Sequence, residues 1–369
     1  MSDTAALARL FRVFAERECR DDPLYVALCL LIAERPAVLQ LMQRAQVMQR
    51  VPNLLLAALH DRVLAGSAHP FADYFPSVGG SRAPDATLAA AFDDFVAAHV
   101  DELATLIAWR QTQTNEIGRC AVLWPVLCAL AGRSGRTRLA LFDFGCSAGL
   151  NLAVDRYHYD YGEFTLGASA ACDVPTIACR LVGARSLALR DCERTRPQLV
   201  ARTGVDPAAL DVADADQVRW LRACVWPYDR ERAARLALAV AIAQRERFAV
   251  RRCSDCAAAI EPWLDTLPAD ALPVVLNSWV LHYFDQAARA AHIAEMRDLV
   301  QRLGVCWLSA EGHHVAIGKA TFEPIGDATI DDDTLSRGSQ WWLTTQDAGA
   351  PVAHLLARSH PHGRWLQWL

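Results

Sequence analysis

Residues 139–151, LALFDFGCSAGLN, set an apolar run, a carboxylate and a glycine-rich turn directly ahead of a helical pattern. The run from Leu139 to Phe144 reads as a buried strand, with Asp143 near its carboxyl end. Gly145, Ser147 and Gly149 make a tight turn, and a helix is expected from about Leu150. Such a strand–turn–helix gathers backbone N–H groups and a helix N-terminus in one place, which suits a carboxylate, a phosphate or a ribose.

The spacing separates two users of such a turn. A dinucleotide fingerprint needs glycine at all three positions of G-x-G-x-x-G, and here the second and third are Ser147 and Leu150. Pyrophosphate binding, and with it a nicotinamide-linked oxidoreductase, is disfavoured. The form D-x-G-x-x-x-G instead resembles the first motif of class I S-adenosylmethionine (SAM) dependent methyltransferases, whose turn backs onto the methionine part of the cofactor.

Of the 369 residues, 53% are hydrophobic, enough for a large core in one enlarged domain or two. A net charge of −5 lacks the basic excess of a nucleic-acid binder. No apolar run reaches the roughly 18 to 20 residues of a membrane span, so a cytoplasmic protein without a membrane partner is expected. The twelve cysteines stand singly in apolar segments such as VALCLL and VCWLSA, as small buried hydrophobes do. Cys253 and Cys256 form one C-x-x-C without a second pair, and His313/His314 and His360/His362 lack companion ligands, so no metal site is expected.

Two regions follow from the periodicity. Residues 1–137 repeat apolar residues at three and four positions and read as a helical lid or cap domain. Residues 138–369 alternate short apolar strands with helices, which predicts a Rossmann-like, SAM-binding domain with an insertion at about 157–197. Strands are expected at LALFDF, QLVARTGVD, FAVRRC, PVVLNS and VCWLSA, followed by SQWWLTT and VAHLLARS as an antiparallel pair. The expected fold class is therefore α/β, a doubly wound and mostly parallel seven-stranded sheet of the class I methyltransferase type with an N-terminal helical domain. The tyrosine alternation in YHYDYGEFTLG suggests a β-hairpin opening the insertion.

Several segments together, QRVPNLLLAALH, QTNEIGRC, GCSAGLNLAVDRYHYDYG, RTGVDPAALDV, RWLRACVWPYDRERAARL and HGRWLQW, resemble an uncharacterised bacterial family of unknown function described as SAM methyltransferase-like. They span nearly the whole chain. The resemblance implies the fold more than a substrate. Departures are local: Cys146 replaces a usual alanine, the SDC of 254–256 replaces a GD-type turn, and Asn277 replaces a histidine.

In a doubly wound sheet the ligand lies outside the carboxyl ends of the strands, which nominates the residues there. Gly145, Ser147, Gly149 and Asn151 would contact the amino-acid part of SAM, with Asp143 positioning the turn or the amino group. Asp206 is placed to accept both ribose hydroxyls, or else to cap a turn ahead of Pro207. Asp255 would bond the adenine amino group or serve as an N-cap. Asn277 faces the reacting methyl, with His282 and Tyr283 one turn later as candidate catalytic groups. QTNEIGRC sets Thr114, Asn115, Glu116 and Arg119 on a helix that would wall the pocket. In that reading Arg119 binds the cofactor carboxylate and Glu116 is a catalytic candidate. The tyrosines at 157, 159 and 161 offer a face for a sulfonium, or simply hairpin packing.

These residues predict a SAM-dependent methyltransferase acting on a small molecule. Two alternatives share the cofactor: cyclisation or cleavage of the methionine chain to give methylthioadenosine, and a non-catalytic SAM-binding module. The methyl acceptor and oligomeric state are not legible in the sequence.

Overall fold

The structure, a computed structural model, describes residues 3–66, 68–113, 115–315, 317–318 and 338–369. Thr114, one of the polar residues singled out above, lies outside them. Two compact units emerge, Met1–Thr114 with Val212–Leu236, and Asn115–Asp211 with Ala237–Leu369.

The first unit is helical. Helices Pro23–Ala33, Pro36–Leu41 and Pro52–Leu64 each begin on a proline, whose missing N–H is one a first helical turn leaves unpaired anyway. Asp22 caps the first of these by accepting the Tyr25 N–H at 2.9 Å, and its other oxygen takes the Tyr228 N–H at 3.3 Å. Trp226 packs against Phe14 and Tyr25, with ring centroids 5.9 Å away in each case, so its Trp-Pro turn belongs to helix packing. The charged centre of the unit is Asp61, 1% exposed. It accepts Arg62 Nη2 at 2.5 Å and Arg219 Nε at 3.1 Å.

In the second unit the strands are β1 (Arg138–Phe144), β2 (His158–Asp160), β3 (Thr165–Gly167), β4 (Thr176–Ala178), β5 (Arg180–Val182) and β6 (Gln198–Asp206). They continue as β7 (Ala249–Arg252), β8 (Leu272–Ser278), β9 (Cys306–Gly312), β10 (Ser339–Asp347), β11 (Ala350–Ser359) and β12 (Trp365–Trp368). The expectation of a doubly wound, mostly parallel seven-stranded sheet is overturned. The main sheet is mixed and has nine strands in the order β5-β12-β11-β10-β9-β8-β1-β6-β7. The expected parallel block is limited to β7-β6-β1-β8-β9, and β9, β10, β11 and β12 pair antiparallel in succession.

The expected antiparallel pair of SQWWLTT and VAHLLARS is present as β10 and β11, joined only by Ala348 and Gly349, both at positive φ. The departure lies in the strands added beyond it. Residues 360–364 are too few for a crossover between β11 and β12. The short segments RLV and WLQW then add β5 and β12, neither foreseen in the sequence.

Strand β1 lies inside the sheet between β6 and β8, buried along its length except for Arg138. Phe142, Val275 and Trp307 from adjacent strands form one core with Ile260, Trp263, Met296 and Val300. The last two lie on helix Gln286–Leu303, which starts on the Asp285 cap and stops at left-handed Gly304. Among the described residues the segment Ile117–Ser134 is long and apolar enough to cross a membrane, and most of it is buried. Pro125 inside it cannot bond the Ala121 carbonyl; the Tyr161 hydroxyl donates there instead, at 2.6 Å.

Tyr157 and Tyr159 likewise donate to the carbonyls of Leu150 and Val154. The expected hairpin exists as β2 and β3, with β4 parallel to β2 in a separate small sheet, but its three tyrosine rings are buried as packing.

Replacing Asp61 by Ala should lower stability by about 2 to 3 kcal/mol, because its arginines lose their buried acceptor. Asp94→Ala, at a pair whose carboxylate side chain is 81% exposed, should change it by less than about 0.5 kcal/mol. Urea melts followed by tryptophan fluorescence distinguish the two, and equal losses would contradict the assignment.

Candidate active site at the strand ends

Strand register sets the polar residues of the parallel block at successive levels near the carboxyl ends of its strands. Asp143 of β1 stands beside Gly204 of β6, Phe144 beside Asn277 of β8, Asn277 beside Ser309 of β9, and Asp206 beside Arg252 of β7. The turn after β1 is tight: Gly145, Ser147 and Gly149 have φ of 74°, 54° and 69°. A Cβ on Gly149 would meet Val250 at 2.5 Å, and one on Gly145 would collide with Val280.

Each main-chain N–H of this turn already has an acceptor inside the protein. Gly145 and Cys146 donate to the Val205 carbonyl, Gly149 to the Cys146 carbonyl, Ser147 to Asp206 Oδ2 at 2.9 Å, and Ala148 to Asn115 Oδ1 at 3.2 Å. The expectation that the turn presents bare N–H groups to a ligand is therefore corrected. Chain 150–156 is also a 3-10 helix, not an α-helix. Any ligand here would be recognised by side chains.

Asp206 braces the turn. Its Oδ2 takes the Ser147 N–H and its Oδ1 the Ala208 N–H at 2.7 Å, one donor each. A carboxylate oxygen has two acceptor sites, so both oxygens retain one for a ligand hydroxyl. Asn115 bonds the turn twice, through Ala148 N–H and by donating Nδ2 to Ser147 Oγ at 2.8 Å. Asp143 is 1% exposed and receives Asn151 Nδ2 at 3.3 Å. Burial pushes its carboxyl up to about 7, aided by Asp206 and opposed by Asn151 and Arg119.

Asn115 and Glu116 precede the helix that was expected to carry them. Glu116 instead caps the 3-10 turn Ile117–Arg119, accepting the Gly118 N–H at 2.8 Å, and its Oε2 lies 3.9 Å from His362 Nδ1. Arg119 directs Nε to the Pro361 carbonyl at 2.8 Å and Nη1 to Ser278 O and Oγ at 3.3 Å, with its guanidinium 5.7 Å from the Trp279 ring centre. It thus braces two chain segments. A Cβ on Gly118 would strike His362, and one on Gly363 would strike Gly118. The NEIGRC and HGRW segments are therefore in direct contact.

The other nominated residues divide. Asn277 is held by three hydrogen bonds: Nδ2 donates to Ser309 Oγ and Glu311 Oε1 at 2.9 and 2.7 Å, and Oδ1 accepts Trp307 Nε1 at 2.7 Å. Asp255 is exposed and accepts the Ala258 N–H at 3.1 Å in the turn ahead of helix Ile260–Leu264, whose own N-cap is Ala259, so the expected helix-capping role is not filled. His282 is held down to about 4 by burial and by the charges of Arg119, His314 and Arg289, which makes it a weak base at neutral pH. Tyr283 is 49% exposed, its ring 3.8 Å from that of His282.

Sequence reasoning missed Glu311, 1% exposed at the end of β9. Burial pushes its carboxyl up, against the pull of the Val280, Leu281 and Asn277 donors and of Arg119. A single acid between the apolar run VCWLSA and a glycine was its signal. With Glu116 and Asp143 it makes three buried carboxyl groups around one buried guanidinium, Arg119.

Asp143 makes stability depend on pH. Its folded pKa lies above the unfolded value, so its contribution is full below about 4 and is lost as pH rises through about 7, on the order of 4 kcal/mol. Asp143→Asn should flatten the fall in Tm between pH 4 and 7; parallel curves for variant and parent would refute this.

No curated protein and no solved structure matches the chain. A family described as an uncharacterized protein conserved in bacteria (DUF2332) matches residues 8–368, and the chain belongs to that family.

Proposed function

We propose that this protein is a cytoplasmic SAM-dependent methyltransferase, with the cofactor at the carboxyl ends of β1 and β6 and a small molecule as acceptor. The observation that supports this reading is the position of Asp206. Its carboxylate closes the turn after β1 and keeps an acceptor site on each oxygen, the pattern a ribose diol needs. The same bonds disfavour phosphate cofactors, because the N–H groups that would cradle a phosphate are taken and the Asp206 carboxylate stands at the turn. A sulfonium and an ammonium, both cationic in SAM, suit such an acidic strand end.

Methyl transfer asks for alignment of nucleophile and sulfonium and for exclusion of water. A strong base is not required, which accords with the weak basicity of His282. Twelve free thiols accord with a reducing compartment.

Calorimetric titration with SAM should give micromolar affinity, about −8 kcal/mol. Asp206→Ala should weaken it by about 2 to 4 kcal/mol, roughly 30- to 1,000-fold. S-adenosylhomocysteine should be the product detected by mass spectrometry, whereas methylthioadenosine would replace transfer by cleavage or cyclisation. Absence of SAM binding would overturn the reading.

A further inference from the structure

The chain leaves β8 through a turn of unfavourable conformation. Trp279 has a φ of 56°, a region bulky side chains avoid unless their surroundings impose it. Its N–H donates to the Ala310 carbonyl at 2.9 Å and its indole to Ser339 Oγ at 2.7 Å. Arg119 holds Ser278 just before it. Just after it, the N–H groups of Val280 and Leu281 both donate to Glu311 Oε1, at 2.9 and 3.1 Å, alongside Asn277 Nδ2.

One carboxylate oxygen therefore gathers three donors, while Oε2 makes no hydrogen bond among the described residues. A buried acid so unevenly used is held in place for its grip on the turn. That grip reaches the neighbouring strand, because the Val280 side chain fills the space where a Cβ on Gly145 would stand.

We infer that Glu311 is a positioning residue: by holding the Val280 and Leu281 N–H groups it presses the turn after β8 onto the glycine turn after β1 and sets that wall of the ligand site. The inference rests on the reading that a ligand occupies the carboxyl ends of β1 and β6. Glu311 acts through Val280 and need not touch the ligand.

The test compares Glu311→Ala, which removes the acceptor, with Glu311→Gln, which keeps a carbonyl oxygen for the two N–H groups. Hydrogen exchange at Val280 and Leu281 should accelerate about 100-fold or more in the Ala variant and return to within about threefold of the parent in the Gln variant. SAM affinity should follow, falling about tenfold with Ala and recovering with Gln. Val280→Ala shortens the contact with Gly145 while leaving the Glu311 bonds intact. It should lose affinity with both amides still protected, and it carries the test if the Ala variant does not fold.

Unchanged exchange in Glu311→Ala, equal defects in the Ala and Gln variants, or full affinity in Val280→Ala would each overturn the inference. If the parent protein binds no SAM, the functional reading fails by itself, and the exchange comparison still decides whether Glu311 grips the turn.

Discussion

The end of strand β1 is governed by the need to satisfy every buried main-chain N–H. Cys146, Ala148 and Gly149 of the turn are buried while Gly145 and Ser147 are partly exposed, and an unpaired donor on the buried residues would be costly. The protein meets that need from two other segments and from the turn itself: Val205 and Asp206 at the end of β6, Asn115 ahead of the core helix, and the Cys146 carbonyl. Strand end, turn and entering segment are thereby joined in one hydrogen-bonded body. The cost in function is that the turn no longer offers itself to an anion.

The same logic extends along the sheet. At β8 and β9 the donors outnumber the backbone acceptors, and Glu311 supplies the missing one for Val280 and Leu281. On the opposite side of that turn the acceptors are in excess, and Arg119 serves the carbonyls of Ser278 and Pro361. Ionisable side chains thus act as main-chain partners before any chemistry is asked of them.

Much of the local structure was legible. QLVARTGVD forms β6 with the bounds that its alternation and flanking residues imply, and LALFDF and PVVLNS form β1 and β8 to within one residue. The hairpin in YHYDYGEFTLG was legible from its alternating tyrosines. The sheet as a whole was misread, because short strands such as RLV and WLQW carry too few residues for a periodic signal and join through the edge of β11. Candidate site residues were nominated by their position after a strand, but their partners in the fold were not legible. Glu116 to His362 and Arg119 to Pro361 are separated by more than two hundred residues.

From the amino-acid order alone came the parallel strands, the sharp turn at Gly145 and Gly149, the helical character of the first hundred residues and the membership of a bacterial family. These depend on side-chain periodicity and backbone steric limits, which act over a few residues. Only the tertiary structure decided that the turn is bonded to Asp206 and Asn115, that Asp255 closes a turn and caps no helix, that Asn277 is locked by Trp307 and Glu311, and that the sheet extends through β12 to β5. Those outcomes depend on which hydrogen-bonding groups are buried together, and burial is a property of the folded chain.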